Sequence, residues 1–103
     1  VPAIYLLGDG YTGNAQIRAG VAQALERGVG GSSAWHLQGA EHGNFVDAPL
    51  WAPLWVMRNL PLIPAAGAAD PLQVHISMGE SMRLFMNGRD TDTLAQVPLM
   101  AQL

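Results

Sequence analysis

Apolar positions along the chain change their period from segment to segment, and each period predicts an element. Ile4, Tyr5, Leu6 and Leu7 form a short unbroken run that stops at glycine, the signature of a strand buried on both faces of a parallel sheet; a strand is expected over residues 3–8. From Asn14 to Arg27 the apolar residues Ile17, Val21, Ala24 and Leu25 recur at helical spacing. Thr12 or Asn14 is available as the cap, and Gly28 as a left-handed stop. Ala34-Trp35-His36-Leu37-Gln38 then reads as a second strand ending at Gly39. Strand, helix and strand make one crossover unit, which brings both strand ends to the same edge of a parallel sheet. Open α/β sheets place their ligand sites at that edge.

The second half is patterned differently. Between residues 48 and 66, Leu50, Trp51, Leu54, Trp55, Val56, Met57 and Leu60 are crowded among Pro49, Pro53, Pro61 and Pro64. Proline breaks helices, so at most a short helix around 50–59 is expected. Trp51, Trp55 and Met57 are assigned to core packing, with an acyl pocket or a peripheral lipid contact as the alternatives. Asp70 and Pro71 suit a helix start, and Leu72, Ile76, Gly79, Met82, Phe85 and Met86 keep one apolar stripe as far as Asn87-Gly88. That stripe is taken as the buried face of the last substantial helix. Residues 89–103 are weakly patterned and are expected to form a loosely packed tail. The fold class is therefore α/β, a crossover unit followed by two helices, all within one segment spanning residues 1–103. Two strands are too few for the apolar material around them, so the sheet is expected to be completed by polypeptide outside the chain.

Composition narrows the choice of partner. The formal charge is −3, with eight acidic residues against five arginines and no lysine, and neither sign is gathered into a run; a nucleic-acid surface is not expected. The absence of cysteine removes thiolate chemistry and cysteine-ligated metals, yet suits either redox compartment, so localisation is unassigned. Val1-Pro2-Ala3 leads directly into the first strand, and the native amino terminus is expected elsewhere.

Two short motifs carry candidate chemistry. Gly8-Asp9-Gly10-Tyr11-Thr12-Gly13 matches Gly-x-Gly-x-x-Gly between a strand and a helix, the context of a dinucleotide fingerprint in which Gly8, Gly10 and Gly13 let pyrophosphate approach a helix amino terminus. Against that reading, Asp9 sets a carboxylate near the anion, and Gln38 stands where an acid for the ribose is expected. The second motif is Gly39-Ala40-Glu41-His42-Gly43-Asn44-Phe45-Val46-Asp47, which places a histidine in a glycine-flanked loop after a strand. An α/β-hydrolase carries its general base in such a place, and Asp9 is a candidate for the acid that orients it, or else stabilises its own turn. Neither His36 nor His75 forms a His-x-x-x-His pair, so no metal is expected. Ser77 and Ser81 lie mid-helix, where a nucleophile elbow cannot form.

The His42 segment resembles the histidine segment of the platelet-activating-factor acetylhydrolases, which has the form Gly-x-x-His-x-Asn/Ser-Phe-x-Asp. A preceding strand and helix, an apolar stretch and a final helix follow the same order, although only the His42 segment is specific. The resemblance implies a carboxylic-ester hydrolase acting on short-chain or phospholipid esters through an acyl-enzyme, without a cofactor, with His42 as the general base. Asp47 matches the trailing aspartate and is read as a helix cap. In that family the serine and the triad aspartate precede the strand matching residues 3–8, so both would be supplied by the remainder of the hydrolase domain. That weakens Asp9 as the triad acid. A non-catalytic packing domain with a vestigial loop is the third reading.

Overall fold

The computed structural model describes residues 2–28, 30–45, 55, 59 and 67–103. Asp47, Trp51, Met57 and the helix expected around 50–59 lie outside these, apart from Trp55 and Asn59, which are both helical. Trp55, expected in the core, is 70% exposed.

Strand β1 (Ile4–Leu7) leads into a one-turn helix α1 (Asp9–Thr12) and then into α2 (Ala15–Arg27). The start of α2 is set by Asn14, whose Oδ1 accepts the Gln16 and Ile17 amides at 3.0 and 3.2 Å and so satisfies two of the orphan donors of a helix start. At its other end the expected left-handed glycine is absent: Gly28 has φ −79°, and the positive φ appears at Gly31 in the loop beyond. Strand β2 (Ser33–Leu37) pairs parallel with β1, with Leu6 opposite Trp35 and Leu7 opposite His36.

After a 3₁₀ turn (His42–Phe45), helix α3 (Pro71–Met86) crosses the sheet and ends in a Schellman motif. Gly88 takes φ +71°, the Gly88 amide donates to Phe85 O, and the Arg89 amide donates back to Leu84 O. Asp70 occupies the N-cap position of α3, without a side-chain cap bond.

The remaining residues differ from the expected loose tail. They form α4 (Thr91–Leu94) and β3 (Met100–Gln102), and β3 pairs antiparallel with β2 in the order β1-β2-β3. The sheet is thus open and mixed rather than purely parallel. A three-residue strand is too short to show a period, and Leu94, Val97 and Met100, all buried, enter the core from a capped turn and a bend. Leu99 takes φ +69° at that bend while its carbonyl accepts the Gln38 amide at 2.8 Å, a conformation costing roughly 1–2 kcal/mol for a non-glycine residue.

The core lies on one face of β2, where Trp35 and Leu37 pack with Val74, Met78 and Leu84 of α3 and with Leu94, Val97 and Met100. Helix α3 turns an unexpected side inward: Val74, Ser77, Met78, Ser81 and Leu84 are buried, whereas Leu72, Ile76, Met82 and Met86 of the expected stripe are 48–84% exposed. The most apolar stripe of α3 therefore faces out. Small residues at Ser77 and Ser81 explain the choice, because they let the helix lie close to the sheet. Their hydroxyls do not go unpaired: Ser81 Oγ donates to Met78 O at 2.8 Å, and Ser77 Oγ accepts from Gln73 Nε2 at 3.5 Å.

Candidate functional site

Because β1 and β2 run parallel, the loops that follow them leave from the same edge and pack against each other. The Asp9 amide donates to Ala40 O at 2.7 Å. A Cβ on Gly8 would lie 2.6 Å from that carbonyl oxygen and 3.3 Å from the Phe45 ring, so only glycine allows this approach. A third loop closes on the pair. Gly39 takes φ +76°, its carbonyl accepts the Ala69 amide at 3.0 Å, and a Cβ there would meet Ala69 Cβ at 2.7 Å.

Asn44 ties these loops together from inside. It is fully buried, and its Oδ1 accepts both the Glu41 amide at 2.9 Å and the Gly67 amide at 2.8 Å. One side chain thus joins the histidine turn to the segment that leads into α3. Two backbone donors satisfied by one carbonyl also fix the orientation of the amide.

On this base stand two imidazoles. His42 opens the 3₁₀ turn and is exposed, with Nδ1 2.9 Å from Tyr11 Oη and the two rings edge to face at 5.9 Å. His36, at the end of β2, places Nε2 2.7 Å from Asp9 Oδ1, and the same oxygen accepts the Gly39 amide at 3.0 Å. Asp9 is therefore engaged with His36 and the adjoining loop, and the place on His42 Nδ1 that a triad acid would take is held by Tyr11. Sequence reasoning singled out His42 and Asp9 but passed over Tyr11, His36 and Asn44. Tyr11 lay hidden within the glycine motif, and Asn44 was visible only as a polar position in a motif quoted for its histidine.

The glycine motif has a different geometry from the one expected. Asp9–Thr12 closes a separate turn, with Thr12 Oγ1 donating to Gly8 O at 2.9 Å, and α2 begins afresh at its own cap. The first amide of that turn is spent on Ala40, and the Glu41 carboxylate reaches to 3.0 Å from where a Cβ on Gly10 would stand. Gly8 thus serves close packing, Gly10 stands beside the end of Glu41, and the two carboxylates Asp9 and Glu41 repel an anion.

Each of the four serines of the chain is committed elsewhere. Ser32 Oγ accepts the Ala3 amide at 2.9 Å, Ser33 Oγ accepts from Trp35 Nε1 at 2.8 Å, and Ser77 and Ser81 have no exposed surface. What the arrangement supplies is an exposed imidazole, held through one nitrogen, at the sheet edge where the parallel strands end. No family model, no curated protein and no solved structure matches this chain.

Proposed function

We propose that this chain is the carboxy-terminal part of a serine-dependent α/β-hydrolase of the platelet-activating-factor acetylhydrolase kind, in which His42 is the general base for cleavage of short-chain or phospholipid esters. The observation that carries the reading is the presentation of His42. Its Nδ1 is occupied by Tyr11, which leaves Nε2 as the nitrogen available to a substrate or a nucleophile. A serine from the remainder of the domain would pass its proton to Nε2 as its oxygen attacks the ester carbonyl. The same proton then goes to the departing alkoxide, and water regenerates the serine. The fixed loop beneath His42 serves this task, because a base must be held within hydrogen-bond reach of the proton it takes.

The dinucleotide alternative at Gly8, Gly10 and Gly13 draws less support, since Asp9 and Glu41 crowd the position a pyrophosphate would take.

The test compares the chain with the polypeptide in which it natively occurs, using a short-chain nitrophenyl ester. The 103-residue chain is expected to be no faster than free imidazole, whereas the longer polypeptide turns over and loses roughly 10⁴-fold or more in kcat on His42→Ala. Turnover that is indifferent to His42→Ala would overturn the assignment.

A further inference from the structure

Helix α2 lies over the face of the sheet opposite the core and covers it incompletely. Side chains alternate along a strand, so Ala34 points away from the α3 side, where Trp35 packs, and toward α2. No residue of α2 is buried. Between helix and sheet runs an open groove of about 400 Å³, with Ala19, Val21, Ala22 and Leu25 of α2 on one wall and Ala34 and Leu103 on the other. Alanine at three of these positions leaves the space that a longer side chain would fill. Among the described residues the groove has one charged lining side chain, Arg18, and its guanidinium has no carboxylate partner among them.

We infer that this groove binds a single-chain amphipathic anion, an unbranched medium-chain carboxylate, with its head on Arg18 and its chain running toward Leu25. Small-molecule sites have roughly this size and make-up, apolar walls with a few polar groups that orient the ligand. The planar fork of a guanidinium matches a carboxylate. From Arg18 to Leu25 the helix advances about 10 Å at 1.5 Å per residue, and an extended chain spans that in about eight or nine bonds at roughly 1.2 Å each. Volume gives the same length. At roughly 30 Å³ per heavy atom, the share of a water molecule in the liquid, decanoate needs about 360 Å³, which the groove supplies.

Other occupants fit less well. A peptide would set its amides and carbonyls against apolar walls that offer them no partner. A strand completing the sheet beside β1 does not reach the groove, because β1 lies across β2 from β3 and Leu103. The inference is independent of the ester-hydrolase reading, since it uses none of the residues around His42.

Titration of the chain with sodium decanoate, followed by amide chemical shifts, should saturate with a Kd of roughly 0.1–1 mM and move Ala19, Ala22, Ala34 and Leu103 most. Decanol, which keeps the chain and lacks the charge, should bind about fivefold more weakly. Arg18→Gln should weaken decanoate by about the same factor and leave decanol unchanged. Ala22→Phe should fill the groove and abolish binding of both; the position is exposed, so helix content should hold. No saturation by about 10 mM, decanol binding as tightly as decanoate, or decanoate binding indifferent to Arg18→Gln or to Ala22→Phe would overturn the proposal.

Discussion

His36 and His42 are gripped by the same turn, α1, and the two grips differ in kind. Asp9 holds His36 through Nε2 at 2.7 Å, while Tyr11, two residues on, holds His42 through Nδ1 at 2.9 Å. A carboxylate only accepts, so His36 must carry a hydrogen on Nε2; a phenol donates or accepts, so His42 can be held in either tautomer. His36 is moreover fixed within a paired strand, whereas His42 stands exposed on a turn. The imidazole–carboxylate pair ties the end of β2 to the turn after β1, and the neighbouring imidazole, with no carboxylate on it among the described residues, is the one presented outward.

The largest effect that would separate the two is expected at Asn44. Asn44→Ala leaves the Glu41 and Gly67 amides without their shared acceptor, which should cost about 2–4 kcal/mol and lower the melting temperature by roughly 10–25 °C. Amide exchange should rise in the His42 turn and at Gly67 while β1 and β2 keep their protection. If β2 loosens equally, Asn44 is not specific to the His42 turn and the two histidines share one support.

Next in size is Gly8→Ala, whose Cβ would press on the Ala40 carbonyl and so disturb both histidine loops, at about 1–3 kcal/mol. Gly10→Ala meets only the flexible end of Glu41 and should stay within about 0.5 kcal/mol. Equal costs for the two, measured by denaturant titration, would contradict the packing role given to Gly8.

These residues also show where the sequence was readable. The crossover unit could be read because apolar runs, an asparagine cap and glycine stops are local signals. The sheet edge where His42 stands followed from them, since parallel strands end together. Which acid meets which histidine was not readable. Asp9 is 27 residues from His36 and about as far from His42, and spacing alone does not say which imidazole a short turn will reach. Apolarity alone points to the wrong face of α3, because the structure buries the face whose small Ser77 and Ser81 permit close contact. The final strand was missed because a three-residue element has too few positions to show a period.

Smaller effects probe the carboxylates. Asp9→Ala removes the acceptor shared by His36 and the Gly39 amide, and partial exposure of the site lets water replace much of it; about 1 kcal/mol is expected, with the His36 ring resonances moving more than those of His42. Asp90 provides a control away from both. Its carboxyl is held below its ordinary range, first by the Thr93 amide and then by the Thr93 hydroxyl. A carboxyl lowered in the folded state stabilises fully above its unfolded pKa and loses that stabilisation as pH falls through the folded value. Asp90→Ala should therefore flatten the acid limb of the stability curve at and below ordinary carboxylate pH, with both histidines unmoved. An acid limb unchanged by the substitution would show that the Thr93 cap does not contribute.

The smallest change in stability carries the sharpest information about His42. Tyr11→Phe removes one exposed bond and should cost under about 1 kcal/mol, but it removes the only partner of the ring among the described residues. The base role proposed for His42 needs a free lone pair on Nε2, and so requires that Nδ1 bear the hydrogen and donate to the Tyr11 oxygen. Long-range proton–nitrogen correlation spectra above neutral pH should show that tautomer, and Tyr11→Phe should return the ring toward the mixture of a free imidazole. The His36 ring, fixed by its carboxylate, should not change. Should the native spectrum instead show the hydrogen on Nε2, Tyr11 would be the donor. The outward nitrogen would then carry a proton, and His42 would be held in the wrong form to act as a base.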